Sequence, residues 1–149
     1  MPKSAIRTKL TETRNTDALL AGMPMELRGK QLKSALRKGG NVVKKEARAT
    51  APKPGYPGDK PGLKPLRDSF VVKVKEYPRT VAAFIGSRWP DAAHLHLVEF
   101  GHRMVLWGKR TDGTVTGKPF FRRAADTTEP QQSAAIVGSL KSDLNKLAD

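Results

Sequence analysis

The chain has no cysteine, which removes disulfide staples, thiolate metal sites and thiol redox chemistry at once. No apolar run approaches the ~18–20 residues that a bilayer span needs. The first residues, Met1-Pro2-Lys3-Ser4-Ala5-Ile6-Arg7, are basic but have no apolar core behind them, so they do not make a signal peptide. The expectation is a protein made and used in a cytosol, or in something assembled there. Acids are scarce: 14 against 28 Lys plus Arg, a formal net charge of +14. That imbalance favours a polyanion through long-range attraction and counterion release. Charge alone leaves nucleic acid, an acidic protein ring and a membrane surface open. The chain also lacks every strong catalytic signature. No Gly-Lys-Ser/Thr follows its glycine-rich stretch, no Gly-x-Ser-x-Gly frames a serine, and no His-Glu-x-x-His is present. Neither a zinc knuckle nor an RNA-recognition signature occurs. The expectation is no enzyme and no cofactor.

At 149 residues the chain is most simply one domain, 1–149. Residues 1–24 are polar and weakly patterned, as in a flexible or subunit-docking arm. Residues 26–50 read as a helix. Leu32, Leu36, Val43 and Ala47, with Gly39 or Gly40 between them, recur at spacings of three and four on one face. Lys44, Lys45 and Arg48 belong to its basic surface. The Gly39-Gly40 pair permits a kink or a close approach, and Pro52 ends the helix. Residues 51–65 carry five prolines and form a long loop. Phe70, Val72 and Val74 then alternate with Val71, Lys73 and Lys75 in a strand, Tyr77-Pro78-Arg79 turns the chain, and residues 81–86 return antiparallel.

Leu95 to Ala125 holds the most information. Val98-Glu99-Phe100-Gly101 and Gly117-Lys118-Pro119-Phe120-Phe121-Arg122-Arg123-Ala124-Ala125 frame a hairpin, with Asp112-Gly113 expected at its tip. Pro119 suits the first turn of a C-terminal helix. Pro130 is expected to kink, break or restart that helix, with Thr128 capping the restart. Beyond it Ile136, Leu140, Leu144 and Leu147 form an apolar stripe. The resulting fold class is α+β: a long amphipathic helix and a C-terminal helix on a small, mostly antiparallel sheet.

Three clusters carry potential chemistry. His94, His96 and His102 would offer a metal pair if strand-like, whereas in a helix His96 and Glu99 become neighbours. This spacing alone supports satisfied histidines better than a metal-dependent nuclease. Asp68 and Glu99 form no recognisable acid pair. The third cluster mixes bases with aromatics, Arg103, Trp107, Lys109 and Arg110 with Phe120, Phe121, Arg122 and Arg123. Such residues stack on bases or anchor a protein interface, and at least one of Phe120 and Phe121 should enter the core.

The order of these pieces resembles the tail-completion or neck family of long-tailed bacteriophages over roughly residues 26–148. The pieces are the helix ending Ala51-Pro52, then Leu66-Arg67-Asp68-Ser69-Phe70, then Phe84-Ile85-Gly86, Val98-Glu99-Phe100-Gly101 and Lys118-Pro119-Phe120-Phe121-Arg122-Arg123-Ala124. The loop before Leu66 is longer than the common form, and His102 stands where that family usually has a threonine. The resemblance implies a structural virion protein, assembled in the bacterial host cytoplasm into a homo-oligomeric ring at the head–tail junction. Its implied neighbours are head-closure and tail-terminator or tail-tube proteins, with DNA in the lumen, and no membrane. Glu99, Phe100, Gly101, Pro119, Phe120 and Phe121 are the interface or motif candidates. Lys44, Lys45, Arg48, Arg122 and Arg123 are the candidates for DNA or an acidic partner. The rival readings are a basic nucleic-acid-binding module and the metal-dependent nuclease.

Overall fold

The computed structural model describes residues 25–53, 61–78 and 80–148. The N-terminal arm and most of the proline-rich loop lie outside the described residues. Helix α1 spans Met25–Thr50. A short 3-10 turn at Leu66–Asp68 leads into strands β1, Phe70–Tyr77, and β2, Thr80–Ser87. A six-residue helix α2, Leu95–Phe100, runs directly into β3, Gly101–Leu106. Strand β4, Lys109–Thr116, returns, and α3 covers Phe120–Ala148. The fold is α+β, with two separate two-stranded antiparallel sheets.

Helix α1 is the central element. It packs along α3 on one side and against β1 and β2 on the other. Ala35, Gly39, Gly40, Val43 and Ala47 are its most buried positions, and Leu32 and Leu36 are half-buried. The glycine pair divides the work between the two sides. A Cβ on Gly39 would stand 2.6 Å from Ile136 Cγ1 of α3, and one on Gly40 2.6 Å from Val72 Cγ1 of β1. These two residues set how closely both neighbours approach, and α1 is not interrupted there.

Strands β1 and β2 pair from Phe70 opposite Ser87 to Tyr77 opposite Thr80. Their alternation puts Val72 and Val74 toward the interior and Lys73 and Lys75 into water. An ion pair between Lys33 and Glu76 ties the sheet to α1. At the other end of α1, Arg48 pairs with Asp68 at 2.5 Å, and Arg67 Nε donates to the Arg48 carbonyl at 2.9 Å. That carbonyl is among the last four of the helix, which have no acceptor role left inside it.

The larger core cluster lies where the elements converge. It joins Ala47 and Ala51 of α1 to Leu66, Phe70, Val98 and Phe120, with Ala92 and Ala124. Phe70 meets Phe120 edge-on at 6.1 Å and stacks on Phe121 at 5.7 Å. Both phenylalanines of the Pro119-Phe120-Phe121 run therefore pack inward. A smaller cluster of Ala35, Leu140 and Ile136 holds α1 to α3 further along. The side chains of Leu144 and Leu147 lie outside the described residues.

Two expectations are corrected. Pro130 does not break the C-terminal helix, which runs through it without restarting. Pro130 is exposed, and the packing of α3 along α1 outweighs the ~3 kcal/mol that an interior proline costs. Thr128 accordingly caps nothing. It is buried in mid-helix and donates to the Ala124 carbonyl at 2.6 Å. The second correction concerns the hairpin tip. It is Trp107-Gly108, with φ of 52° and 75°, a two-residue loop whose positive φ values suit the twist of the strands. Asp112-Gly113 instead lies inside β4. There Thr111, Asp112 and Gly113 stand against Met104 alone, in a bulge between the Arg103–Thr114 and Val105–Arg110 pairs. Thr111 Oγ1 closes the bulge by donating to the Met104 carbonyl at 3.0 Å.

Candidate functional site

The two framing motifs of the central stretch meet in space. The Pro119 carbonyl accepts the first intrahelical bond of α3, from Arg123 N, so Pro119 occupies the cap position. A proline side chain cannot satisfy the free N–H groups of the first turn. Glu99 supplies what Pro119 lacks. Its Oε2 accepts from Phe121 N at 3.0 Å and its Oε1 from Arg122 N at 2.8 Å. The carboxylate is thus a cap delivered from another element, and its negative charge sits at the positive end of the α3 dipole. Glu99 is buried, so these two donors are what make its burial tolerable.

Backbone contacts complete the clasp. Lys118 N donates to the Val98 carbonyl at 2.7 Å. Gly101 ends α2 at φ 76°, a conformation that costs other residues dearly. A Cβ on Gly101 would lie 2.4 Å from the Val115 carbonyl oxygen, and one on Gly117 2.6 Å from the Glu99 carbonyl oxygen. The two strands of the hairpin therefore leave the body of the protein through a neck where only glycine fits on either side.

The clasp presents the hairpin away from the body. The contact of β3 and β4 with the rest of the molecule is mainly at α2, and residues 102–110 are all exposed. Met104, Val105 and Leu106 are apolar and open to water, and Trp107 at the tip is 99% exposed. Beside the clasp is an apolar groove of about 470 Å³. Ala92, Leu95, Phe121 and Ala125 line it together with two exposed aromatics, Trp89 at 79% and Phe100 at 78%.

The groove also touches Ser87, His96 and Glu99, residue types that elsewhere form a nucleophile–base–acid series. Here they are otherwise engaged. The Ser87 hydroxyl donates to the Ala92 carbonyl at 2.9 Å, and both Glu99 oxygens serve α3. His94 stands at the start of α2 and His96 within it, the helical alternative for this histidine group. His102 lies on β3. Among the described residues, no three His, Asp or Glu side chains gather as a metal ion would require.

The other candidates scatter. Gly101 and Pro119 belong to the clasp, Phe120 and Phe121 to the core behind it, and Phe100 to the surface. Lys44 is half-buried and Lys45 exposed on α1, while Arg48 is engaged with Asp68. Arg122 and Arg123 are exposed at the start of α3, with Arg122 on the groove. These five cations therefore lie on two helices, with Arg48 already paired. The exposure of Trp89 and of the whole apolar tip was not visible in the sequence. Its signals were the basic and aromatic cluster of Arg103, Trp107, Lys109 and Arg110 and the four successive apolar residues, Met104 to Trp107, beside a glycine.

Residues 23–101 match the family described as "Bacteriophage HK97-gp10, putative tail-component". The chain belongs to this family. The match covers more than half of the chain and ends at Gly101, the last residue of the first framing motif. No curated protein and no solved structure matches it. The family makes the protein a bacteriophage tail component, with a structural role in the virion and other virion proteins as its partners. No helix among the described residues is long and apolar enough to cross a membrane.

Proposed function

We propose that this tail component is a neck or tail-completion protein. In this reading it forms a homo-oligomeric ring at the head–tail junction and helps join the tail to the DNA-filled head. The single observation that carries the reading is the clasped hairpin with its uncovered apolar tip. A structural protein that works by contact needs apolar surface that its own fold leaves open, held at a fixed angle, and the Glu99 clasp provides both. Copies that meet head to tail close into a ring when the rotation between them allows it. The chain then acts as one domain, with residues 1–24 and 51–65 as arms that reach neighbouring subunits. Head-closure and tail-terminator or tail-tube proteins are the neighbours above and below. Lys44, Lys45, Arg48, Arg122 and Arg123 face DNA in the lumen or acidic neighbouring rings, consistent with the net charge of +14.

The test is genetic and visual. A phage carrying a deletion of this gene should accumulate DNA-filled heads and separate, full-length tails, and supplying the protein should join them. Normal tailed particles without it, or heads joined to tails of altered length, would refute the junction role.

A further inference from the structure

Over residues 102–110 both faces of the β3–β4 hairpin are open to water, and both carry the same mixture. Cross-strand partners project to one face. Leu106 is paired with Lys109, and Val105 with Arg110. Successive residues of a strand point to opposite faces, so each face near the tip presents one aliphatic side chain beside one cation. Trp107 extends beyond them at the end, and Arg103 adds a further cation before the bulge. No acid occurs between Gly101 and Arg110; the first is Asp112, in the bulge.

From this pattern we infer that the hairpin tip is a docking finger for an acidic protein: it enters an apolar cleft rimmed by carboxylates on a different virion protein. The chemistry discriminates between occupants. Trp107 and the cations could engage a nucleic acid, but Met104, Val105 and Leu106 cannot stack on bases and a phosphate backbone would leave them in water, so an apolar protein cleft fits the tip better. Docking into the groove of a second copy would bring its Arg122 against Lys109 and Arg110, so contacts between copies in the ring are left to other surfaces. A flat surface would cover one face and leave the other aliphatic–cation pair in water, whereas a cleft covers both. Tryptophan and arginine, present here as Trp107 with Arg103 and Arg110 on one hairpin, are also enriched among the residues that dominate binding energy at protein interfaces. The inference rests on the protein being an assembly component, but not on its place at the junction.

The test replaces Trp107 with a photo-crosslinking amino acid and illuminates purified virions, with cross-linked peptides identified by mass spectrometry. The expected product joins position 107 to a different virion protein, at an apolar residue flanked by Asp or Glu. Arg110→Glu should reduce particle yield at least tenfold, and a compensating Glu→Lys in the identified rim should restore it. Trp107→Ala should reduce yield similarly, with unchanged circular dichroism and melting temperature. Cross-linking to a second copy of this chain or to DNA would overturn the inference. So would binding of the isolated protein to vesicles containing phosphatidylglycerol that is lost in Trp107→Ala. Wild-type yield from both Trp107→Ala and Arg110→Glu would overturn it as well. A cross-link to an acid-rimmed cleft of a tail protein far from the neck would uphold the finger and refute the junction role.

Discussion

Glu99 is the residue on which the local structure turns. It is 22 and 23 positions from the amides it caps, and its removal leaves both without their acceptor. Glu99→Ala should destabilise the protein by about 2–3 kcal/mol, the scale of a lost cap plus charge-assisted bonds left unmade. Glu99→Gln should fall between the two, because an amide oxygen satisfies one N–H and its NH2 group opposes the other. Urea unfolding of the three proteins measures this, and equal midpoints would show that the clasp contributes nothing. Gly101→Ala should cost roughly 3 kcal/mol or more, since a positive φ and a collision with the Val115 carbonyl act together. Failure of that variant to lose stability in the same assay would contradict the neck geometry. The importance of Val98-Glu99-Phe100-Gly101 and of Pro119-Phe120 was legible in the sequence, but the link between them was not. A cap is ordinarily sought in the residue before the helix, and here that residue is a proline with nothing to donate or accept from its side chain.

Among the elements, α1 was the most legible, because its spacing of apolar residues and its end before Pro52 are local properties. Its glycine pair allowed two meanings, and the structure selects close approach on two sides. Gly40→Ala should therefore destabilise by about 1–2 kcal/mol despite alanine's better helix propensity, because Val72 is β-branched and paired in a strand. Thermal melting checks this, and a higher melting temperature would show that β1 moves aside freely. The two misread elements share one cause, competition between a local signal and its surroundings. Asp-Gly is a strong turn signal, yet it equally accommodates a bulge, and Trp107-Gly108 took the turn with a bulky residue at positive φ. Proline disfavours a helix interior by a fixed amount, and a long packed helix can exceed it. Pro130→Ala should consequently raise stability by about 1–3 kcal/mol, since it adds a bonded amide at an exposed site without disturbing the core. A lower melting temperature would mean that Pro130 shapes α3 rather than burdening it.

At the scale of the whole molecule, charge and uncovered apolar surface point the same way. A net charge of +14 favours an acidic neighbour, while Trp89, Phe100 and the hairpin tip leave apolar area for a partner to cover. The α+β class and the phage resemblance were readable from motif order. The working surface was not, because exposure depends on which elements stand clear of the core, and no period in the sequence encodes that. In the proposed assembly an acidic neighbour would offset the charge and cover the apolar tip. The most direct test is a cryo-electron microscopy map of the intact virion. The expected map shows a ring of this chain between head and tail, with each β3–β4 hairpin seated in a neighbouring protein and Trp107 buried. A virion in which the chain lies elsewhere in the tail, or in which Trp107 stays in solvent, would contradict it.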